Sequence, residues 1–389
     1  MATTLAPPDF AALRAREFPG VCEIAYLNAA AVAPIPERTR RATEAYGRRR
    51  SRPHELHADD FDGVLERARA AAARLIGADH TEIALGSNTS FGLNLAAHAL
   101  PMAPGSAVVI SDREFPANVY PWMRQRDRGV RLEIVPTDRL GRPDEERLLE
   151  RLDQGDVSVF ALSAVQFASG YCADLARFGR FCSERGIWFV VDAIQALGQV
   201  EINVREAGID ILATGGHKWL CAPFGTGFAY VRRELQDRLE PHLVGWTGMR
   251  ACTDYTRLLD YQYEFLPDAR RYEPATHGLQ DFVGLTESIE LLLEAGVSRI
   301  GAHQQEVLRP LLEWLVEHPA VRVISDLAPA RRTGIFCFQP ADPENTFHAL
   351  TAAGVVCVLR EGAIRIAPHL YNTVDDVARV VSVLNRTAS

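Results

Sequence analysis

The sequence of 389 residues lacks the features that mark several large classes of protein. No apolar run reaches the roughly 20 residues that a membrane-spanning helix requires, and the N-terminus shows no charged-then-apolar signal pattern. The seven cysteines form no C-x-x-C pair and no histidine spacing typical of zinc, so we expect reduced thiols rather than disulfides or a metal site. These absences predict a cytoplasmic protein that is not associated with a membrane.

Basic runs are also scarce, which bears on the partners of the protein. The net charge is −8, and the basic run from 48 to 52 is expected to end a solvated helix. Because nucleic-acid binding needs a basic surface, no nucleic-acid partner is expected. A hydrophobic content of 47% and a charged content of 24% are typical of a globular protein, and the length allows two domains.

From residue 82 onward, strand-like and helix-like segments alternate along the chain. The apolar runs lie at 82–86, 107–111, 131–136, 157–165 and 187–193. This alternation predicts an α/β fold with a mainly parallel sheet flanked by helices. No G-x-G-x-x-G follows the first strand, which counts against a nicotinamide-binding fold.

The chain is predicted to have three parts. Residues 1–36 are expected to form an irregular N-terminal arm, because prolines interrupt its second half. Residues 37–258 are expected to form a large α/β domain that begins with helices at 37–50 and 61–76. Residues 259–389 are expected to contain two long amphipathic helices and a smaller α+β domain.

A glycine-rich turn between two apolar runs contains the first chemical candidate. The runs at 209–213 and 225–231 enclose the turn and predict the order strand, polar turn, strand. Lys218 lies in this turn beside Trp219 and close to Phe224. Desolvation there would lower the pKa of the amine and make it a nucleophile. The alternative is an ordinary loop lysine whose stem lies along apolar surface.

A carboxylate follows a second apolar run. Asp192 ends the run and is expected at the C-terminal end of a buried strand, where open α/β sheets bind ligands. A lysine and a carboxylate on neighbouring strand ends are what pyridoxal phosphate needs. The amine forms a Schiff base with the cofactor, and the anion keeps the pyridine nitrogen protonated.

The sequence resembles the class V aminotransferases in three motifs. These are VDAIQALG (191–198), GGHKWL (215–220) and GTGFAYV (225–231). This fold-type I family of pyridoxal phosphate enzymes includes cysteine desulfurases, kynureninase and isopenicillin N epimerase. The resemblance extends over most of the chain. It implies a pyridoxal 5'-phosphate cofactor bound to Lys218, an amino-acid substrate, and a homodimer with shared active sites.

The turn SNTS at 87–90 opens a predicted helix whose free N–H groups and hydroxyls would favour a phosphate. Simple helix capping is the alternative. The resemblance assigns Thr89 and Ser90 as phosphate ligands, and it assigns a phosphate contact to His217.

The cofactor ring has its own candidates. Phe115 is followed by Pro116, and the matching segment of kynureninase likewise has phenylalanine followed by proline. The desulfurases instead have a histidine at this position, which stacks on the ring. An aromatic face holds the ring without donating a proton, and plain core packing is the alternative. A side-chain amide is expected to donate to the phenolic oxygen of the cofactor; Gln166 is our first choice, and Gln195 could share this role.

Substrate and partner contacts also follow from the resemblance. Arg365, in IRIAPHLYNT, matches the arginine that binds the substrate carboxylate in the desulfurases, and Arg360 is a second candidate. Asn28 lies in a segment expected against the active site. Thr276, in RRYEPAT, matches a threonine that reaches the phosphate of the other subunit.

The reaction type depends on one loop. Cysteine desulfurases carry a persulfide-forming cysteine before the final arginine strand, whereas here the loop 360–363 reads REGA. We therefore expect β-elimination from a cysteine-type substrate, with transamination and epimerisation as alternatives. A cofactor-binding protein without catalysis and a nucleotide-binding α/β protein are more distant alternatives. The sequence does not identify the substrate, and it assigns no role to His54 or His57.

Overall fold

The computed structural model of the protein describes residues 9–387 as an alternation of helices and strands. The helices are α1 (Phe10–Glu17), α2 (Glu37–Arg50), α3 (Asp62–Ile76), α4 (Thr89–Ala99), α5 (Tyr120–Met123), α6 (Glu145–Leu152), α7 (Leu175–Arg185), α8 (Arg233–Gln236), α9 (Leu279–Ala295), α10 (Val297–Glu317), α11 (Pro343–Ala352) and α12 (Val374–Thr387). The strands are β1 (Ala25–Tyr26), β2 (Ile83–Gly86), β3 (Ala107–Ser111), β4 (Arg131–Val135), β5 (Val157–Ser163), β6 (Trp188–Asp192), β7 (Ile211–Gly215), β8 (Gly227–Val231), β9 (Arg322–Val323), β10 (Phe336–Gln339), β11 (Val355–Val356), β12 (Val358–Arg360) and β13 (Ala363–Ile366).

A seven-stranded sheet forms the centre of the larger part of the molecule. Its strand order is β2, β8, β7, β6, β5, β3, β4. The five strands from β7 to β4 are parallel, whereas β8 is antiparallel to both of its neighbours. The prediction of an α/β fold with a mainly parallel sheet is confirmed.

Apolar cores cover both faces of this sheet, as a mainly parallel sheet requires. One core joins the sheet to helices on one side through residues such as Phe160, Phe189 and Leu285. The other core packs α4 against the opposite face through residues such as Leu93 and Val190. The strands are therefore held rigidly, and residues at their ends have fixed positions.

The C-terminal ends of the parallel strands meet at one edge of the sheet. Ser163 of β5 pairs with Asp192 of β6, and Asp192 pairs with Ala213 of β7. After β7, the chain makes the glycine-rich turn and returns antiparallel as β8. The predicted order of strand, polar turn and strand is observed, and the turn lies at the edge where α/β sheets bind ligands.

The smaller, C-terminal part contains a four-stranded antiparallel sheet in the order β12, β13, β10, β9. Helices α10 and α12 pack on it around a separate apolar core that includes Leu308, Phe336 and Val380. This is the α+β region that the sequence predicts. The exact domain boundary near 258 stays a prediction.

The N-terminal arm is more regular than the sequence suggests. From Phe10 it forms α1, capped by Asp9, and Ala25–Tyr26 pairs in parallel with Val355–Val356 of β11. The expectation of an irregular arm is therefore wrong for these segments, because the partner strand lies more than 300 residues away in sequence. Residues 1–8 of the arm lie outside the described residues.

Within residues 9–387, none of the helices combines the length and the apolar character needed to cross a bilayer. A cytoplasmic location stays a prediction from the sequence.

Candidate active site

Asp192 and Lys218 form the centre of the candidate site. Asp192 is the last residue of β6, and Lys218 lies in the turn that follows β7, the neighbouring strand. Because β6 and β7 are parallel, both residues lie at the same edge of the sheet. The adjacency of the two strands agrees with the sequence analysis, and the chemical roles of the two residues stay predictions.

Burial controls the ionisation of both groups. It raises the pKa of Asp192, and the buried Glu114 raises it further. A hydrogen bond donated by Ile194 N to the carboxylate and the charge of Lys218 act in the opposite direction. Burial likewise lowers the pKa of Lys218; the charge of Asp192 partly offsets this. The lowered pKa increases the neutral fraction of the amine, which is the nucleophilic form.

Arginines add to the effect on Lys218. The charges of Arg365 and Arg360 both lower the pKa of Lys218. Lys218 is also the only lysine in the sequence. A single lysine among 389 residues is a signal for a functional amine that is independent of the motifs.

An aromatic wall stands beside the amine. The Nζ atom of Lys218 lies 5.4 Å from the centre of the Phe115 ring. Phe167 contacts this ring edge-on, with the two ring centres 5.3 Å apart. The Phe115 side chain is 38% exposed, so it is not plain core, and its face is available to a planar ligand.

The N-terminus of α4 provides a site for an anion. Asn88 caps the helix by accepting a hydrogen bond from Phe91 N at 3.1 Å. The capping role is thus filled, and among the described residues the buried Thr89 Oγ1 has no hydrogen-bond partner. Ser90 is exposed at the same helix end. Unsatisfied hydroxyl and N–H groups at a helix N-terminus suit a phosphate.

His217 lies close to this helix end. A Cβ atom placed on Gly215 would lie 3.3 Å from Thr89 Oγ1 and 3.5 Å from His217 Nδ1, so both side chains face the same glycine. Burial and the charge of Lys218 lower the pKa of His217 and favour its neutral form. Its ring stacks on Phe224 with a centroid distance of 5.1 Å.

Arg365 presents an unused hydrogen-bonding edge. The residue is 2% exposed on β13, and its Nη1 donates to the Phe167 carbonyl at 2.9 Å. Its Nε and Nη2 atoms find no hydrogen-bond partner in the described part of the chain. These two N–H groups form the side of the guanidinium that binds a carboxylate bidentately. Burial lowers the pKa of Arg365 to about 10.

The N-terminal arm lies against the site, as the sequence analysis expected. Ala33 N donates to the His217 carbonyl at 3.0 Å. Asn28 forms a bridge with Ala367 just after β13, and its buried Oδ1 has no hydrogen-bond partner among residues 9–387. Gln195 donates to the Ala30 carbonyl at 3.1 Å, which ties the arm to the segment after Asp192.

The side-chain amides of Gln166 and Gln195 both form hydrogen bonds within the protein. Gln195 Oε1 accepts a hydrogen bond from Trp219 Nε1 at 2.7 Å, in addition to its contact with the arm. Gln166 Nε2 donates to Glu114 Oε1 at 2.6 Å. Each amide is held in one orientation. Their contacts with the cofactor ring stay predictions.

Glu114 is a residue that the sequence analysis missed. Its carboxylate is buried and accepts hydrogen bonds from Gln166, from Ser163 N at 3.0 Å, from the Ser163 hydroxyl and from Asn118 Nδ2 at 2.9 Å. Burial raises its pKa. The available signal was its position next to Phe115. Glu114 is thus bound to Ser163, the residue of β5 that pairs with Asp192.

Thr276 is the residue predicted to reach the phosphate of a partner subunit. Thr276 is exposed and lines a cavity of about 290 Å³ together with Arg69, Glu273 and His277. None of the other predicted site residues lines that cavity, although all of them belong to the described chain. His54 and His57 are exposed surface residues.

These residues fit pyridoxal phosphate. The unpartnered Thr89 hydroxyl at a helix end suits its phosphate, Asp192 suits its ring nitrogen, and Lys218 suits its aldehyde. The free edge of Arg365 suits the carboxylate of an amino acid. The fold and this set of residues define the class of pyridoxal-phosphate-dependent enzymes.

Comparison with known proteins identifies the family. The family model "Aminotransferase class-V" matches residues 25–380, and the chain belongs to this family. A probable cysteine desulfurase from Methanothermobacter thermautotrophicus is 28% identical, covering 96% of this chain and 97% of its own length. An isopenicillin N epimerase from Streptomyces clavuligerus is 26% identical, covering 92% and 94% respectively. Family members act on amino-acid substrates.

Solved structures share the fold. An apo cysteine desulfurase from Thermococcus onnurineus NA1 superposes with a TM-score of 0.87 at 23% identity, covering 99% of this chain and 98% of that chain. The cystine C–S lyase C-DES, in complex with its product cysteine persulfide, has a TM-score of 0.83 at 20% identity, covering 96% and 99%. The resemblance that the sequence motifs suggested is confirmed at the level of family, fold and cofactor.

Proposed function

We propose that the protein cleaves the Cβ–S bond of a cysteine-type amino acid by β-elimination, without a persulfide-forming cysteine. The observation that carries this proposal is the hairpin between β12 and β13. Its two-residue turn, Glu361 and Gly362, contains no cysteine, whereas the resemblance implies a thiol-bearing loop at this place in desulfurases.

The neighbouring thiols are poor substitutes. Burial raises the pKa of Cys357 to about 12 and raises that of the fully buried Cys221 still further. The thiolate is the form that attacks sulfur, so neither residue would accept a sulfur atom at neutral pH. This supports release of the sulfur-containing fragment as a free thiol or persulfide.

Each site residue has a separate role in such a reaction. Bound pyridoxal phosphate supplies an aldehyde for the substrate amine and a ring that accepts electrons from the α-carbon. Asp192 holds the proton on the ring nitrogen, and Arg365 orients the substrate through its α-carboxylate. Lys218 removes the α-proton and delivers it to the departing sulfur. Phe115 holds the ring and supplies no proton.

The overall reaction needs no oxidant or reductant. One S-substituted cysteine and one water give pyruvate, ammonia and a free thiol. The Cβ–S bond breaks with its electron pair on sulfur, and water replaces nitrogen at the former α-carbon. A relative named as a probable cysteine desulfurase and a structural neighbour named as a C–S lyase both handle the same bond, which supports the proposal.

Two alternatives remain within the family. A class V aminotransferase is the first, and an amino-acid epimerase, suggested by the isopenicillin N epimerase relative, is the second. A cofactor-binding protein without catalysis is a distant third, and the complete set of Lys218, Asp192 and Arg365 argues against it.

The experiment that tests the proposal uses the purified holoenzyme and a panel of S-substituted L-cysteines. We expect pyruvate and ammonia in equal amounts without any added acceptor. Keto acid formed only when a second keto acid is added would favour transamination, and α-deuterium exchange without pyruvate would favour epimerisation. Lys218→Ala is expected to lose both the product and the visible absorbance of a lysine-bound cofactor.

We also propose a homodimer in which Thr276 reaches the cofactor phosphate of the partner subunit. The segment before it exposes large apolar side chains, with Leu259, Tyr261 and Tyr263 each at least 77% exposed. Exposed apolar patches of this kind mark contact surfaces. Mixing Lys218→Ala with Thr276→Val subunits would restore activity that neither variant has. A monomer in sedimentation, or no restoration from a dimer, would contradict this proposal.

A further inference from the structure

Two arginines project from the same face of the hairpin that closes the site. Strands β12 and β13 are antiparallel, with Arg360 opposite Ala363 and Val358 opposite Arg365. Residues directly opposite one another share a face, and so do residues two apart on a strand. Arg360 and Arg365 are therefore diagonal neighbours on one face.

The turn that joins the two strands is tight. Glu361 and Gly362 both have positive φ angles, 50° and 75°, as in the two-residue turns that match the twist of a β-hairpin. Such a turn fixes the register of the strands. Arg360 is therefore held at a defined position beside Arg365 rather than on a mobile loop.

The free edge of Arg365 is sufficient for one carboxylate. Its Nη1 is bound to the Phe167 carbonyl, and its Nε and Nη2 together present two parallel donors. Two donors match the two oxygens of a single carboxylate. The α-carboxylate of the substrate is therefore satisfied without any contribution from Arg360.

Arg360 nevertheless lacks a counter-charge. Its Nε is buried without a hydrogen-bond partner, and no carboxylate in the described chain forms an ion pair with either Arg360 or Arg365. A buried cationic donor without an anion is costly, and a ligand that supplies one relieves the cost. Arg360 is half-buried and lies diagonally beside Arg365, and its charge also lowers the pKa of Lys218.

We propose that Arg360 binds a second anionic group, at the far end of the substrate side chain. The substrate class is thus an α-amino acid with an acidic β-substituent, such as a cysteine whose sulfur carries a carboxylate-bearing group. The inference rests on the proposed function for the nature of that substituent. Arg365 takes the α-carboxylate, and Arg360 selects the substituent.

A pair of nearly equal-sized probes separates charge from shape. S-carboxymethyl-L-cysteine carries the second carboxylate, and S-carbamoylmethyl-L-cysteine carries a neutral amide in its place. Titration of the holoenzyme with each probe, followed by the change in cofactor absorbance, gives two dissociation constants without requiring turnover. We expect the acid to bind about tenfold or more tightly than the amide, the factor that one charge-assisted hydrogen bond provides.

Variants assign that preference to Arg360. Arg360→Gln is expected to bring the two dissociation constants to within about twofold, because its side chain has no charge, and Arg360→Lys is expected to retain part of the preference. Arg322→Gln, on the exposed part of β9, removes the same charge from the same sheet and is expected to leave the ratio unchanged. The absorbance of the bound cofactor shows that each variant is folded.

The outcomes separate this inference from the proposed function. Equal binding of both probes, no binding of either, or an unchanged ratio in Arg360→Gln would overturn the role of Arg360. Pyruvate produced equally from both probes would leave the lyase function standing without the selectivity. Selective binding of the acid without pyruvate would support the role of Arg360 while contradicting the lyase function.

Discussion

At the scale of single residues, burial gives the groups of the site their chemistry. The sequence uses arginine for nearly all of its positive charge and contains one lysine, Lys218. An arginine is never neutral at working pH and forms no imine with an aldehyde, so the proposed role of this position requires a lysine. Burial then brings the pKa of Lys218 down and that of Asp192 up.

Glu114 is expected to contribute to stability as well as to the site. An amide at this position would face the donors of Gln166, Asn118 and Ser163 with its own NH₂ group. We expect Glu114→Gln to lower the free energy of unfolding by about 1–3 kcal/mol, the cost of leaving buried donors unpaired. Urea unfolding measures this change.

The matched control for Glu114→Gln is Glu313→Gln on α10, where the carboxylate is exposed and pairs with Arg309. Its effect should stay within about 0.5 kcal/mol. A Glu114 variant as stable as the wild type would contradict the structural role of that carboxylate.

The buried His369 is expected to make the protein less stable in mild acid. Burial lowers its pKa to about 4, and its Nε2 donates to the Trp219 carbonyl at 2.8 Å. The unfolded state binds a proton near pH 6.5, whereas the folded state does so near pH 4, so stability is complete above about pH 6.5 and falls towards pH 4. The total loss is about 3 kcal/mol. Urea unfolding at several pH values should show it.

His369→Gln removes this titration while keeping a donor for the carbonyl, so its stability should fall less between pH 6.5 and 4. The exposed His348→Gln on α11 is the control and should retain the wild-type pH dependence. The same pH dependence in the wild type and His369→Gln would show that other groups are responsible.

At the scale of elements, the turn after β7 is held by contacts from distant segments. Ser288 of α9 donates to the Cys221 carbonyl at 2.9 Å and lies 2.7 Å from the Thr39 hydroxyl of α2. Cys221 itself has a positive φ of 53°, a conformation that a non-glycine residue rarely adopts. These contacts keep the Lys218 turn in the shape that directs the amine to the site.

Gly198 is required where another segment approaches this turn. A Cβ atom at Gly198 would lie 2.1 Å from the Trp219 carbonyl oxygen, next to Lys218, and the φ angle of Gly198 is +106°. We expect Gly198→Ala to displace the turn, to lower stability by more than about 2 kcal/mol and to weaken cofactor binding. Urea unfolding and cofactor absorbance measure the two effects.

Gly186→Ala is the control for Gly198→Ala, because it introduces the backbone strain of a positive φ without a steric clash. Gly186 ends α7 with a φ of +67°, and nothing lies within 4 Å of an added Cβ. Its cost should be about 1–2 kcal/mol from the conformation alone, with cofactor binding unchanged. Equal effects of the two substitutions on the cofactor would exclude the clash as the cause.

At the scale of the whole molecule, the N-terminal arm joins the two parts of the structure. Ala25 and Leu27 are buried in the core of the C-terminal part, whereas Ala30 and Ala33 hydrogen-bond to the segments around Asp192 and Lys218 through their backbone. The arm thus packs in the core of the small sheet and hydrogen-bonds to segments at the edge of the large one. Its position affects the site even though its sequence contains few catalytic residue types.

Leu27→Ala is expected to destabilise the protein by about 2–5 kcal/mol, because the side chain is fully buried and its removal leaves a cavity. Urea unfolding measures the change. Ile35→Ala, in the same arm but 47% exposed, should cost much less. Similar costs for both substitutions would mean that the arm is not packed as the structure shows.

Local sequence patterns predicted much of the framework. The bounds expected for α2 agree with the structure, and the two long helices expected in the C-terminal part are α9 and α10. The apolar runs around β5, β6 and β7 form buried parallel strands. The pattern also predicted that Asp192 and Lys218 lie at neighbouring strand ends, because the C-terminal ends of parallel strands lie at one edge of a sheet. These features depend on short-range spacing, which the sequence contains in full.

The sequence by itself determined the type of element on which each candidate residue lies, because periodicity and turn residues act over a few positions. Only the tertiary structure decided what each group contacts. Glu114 meets Ser163 across 49 positions, Arg365 meets Phe167 across 198, and β1 pairs with β11 near the other end of the chain. Burial and hydrogen bonding between such distant segments set the pKa values and the unpaired donors, and no local pattern records them.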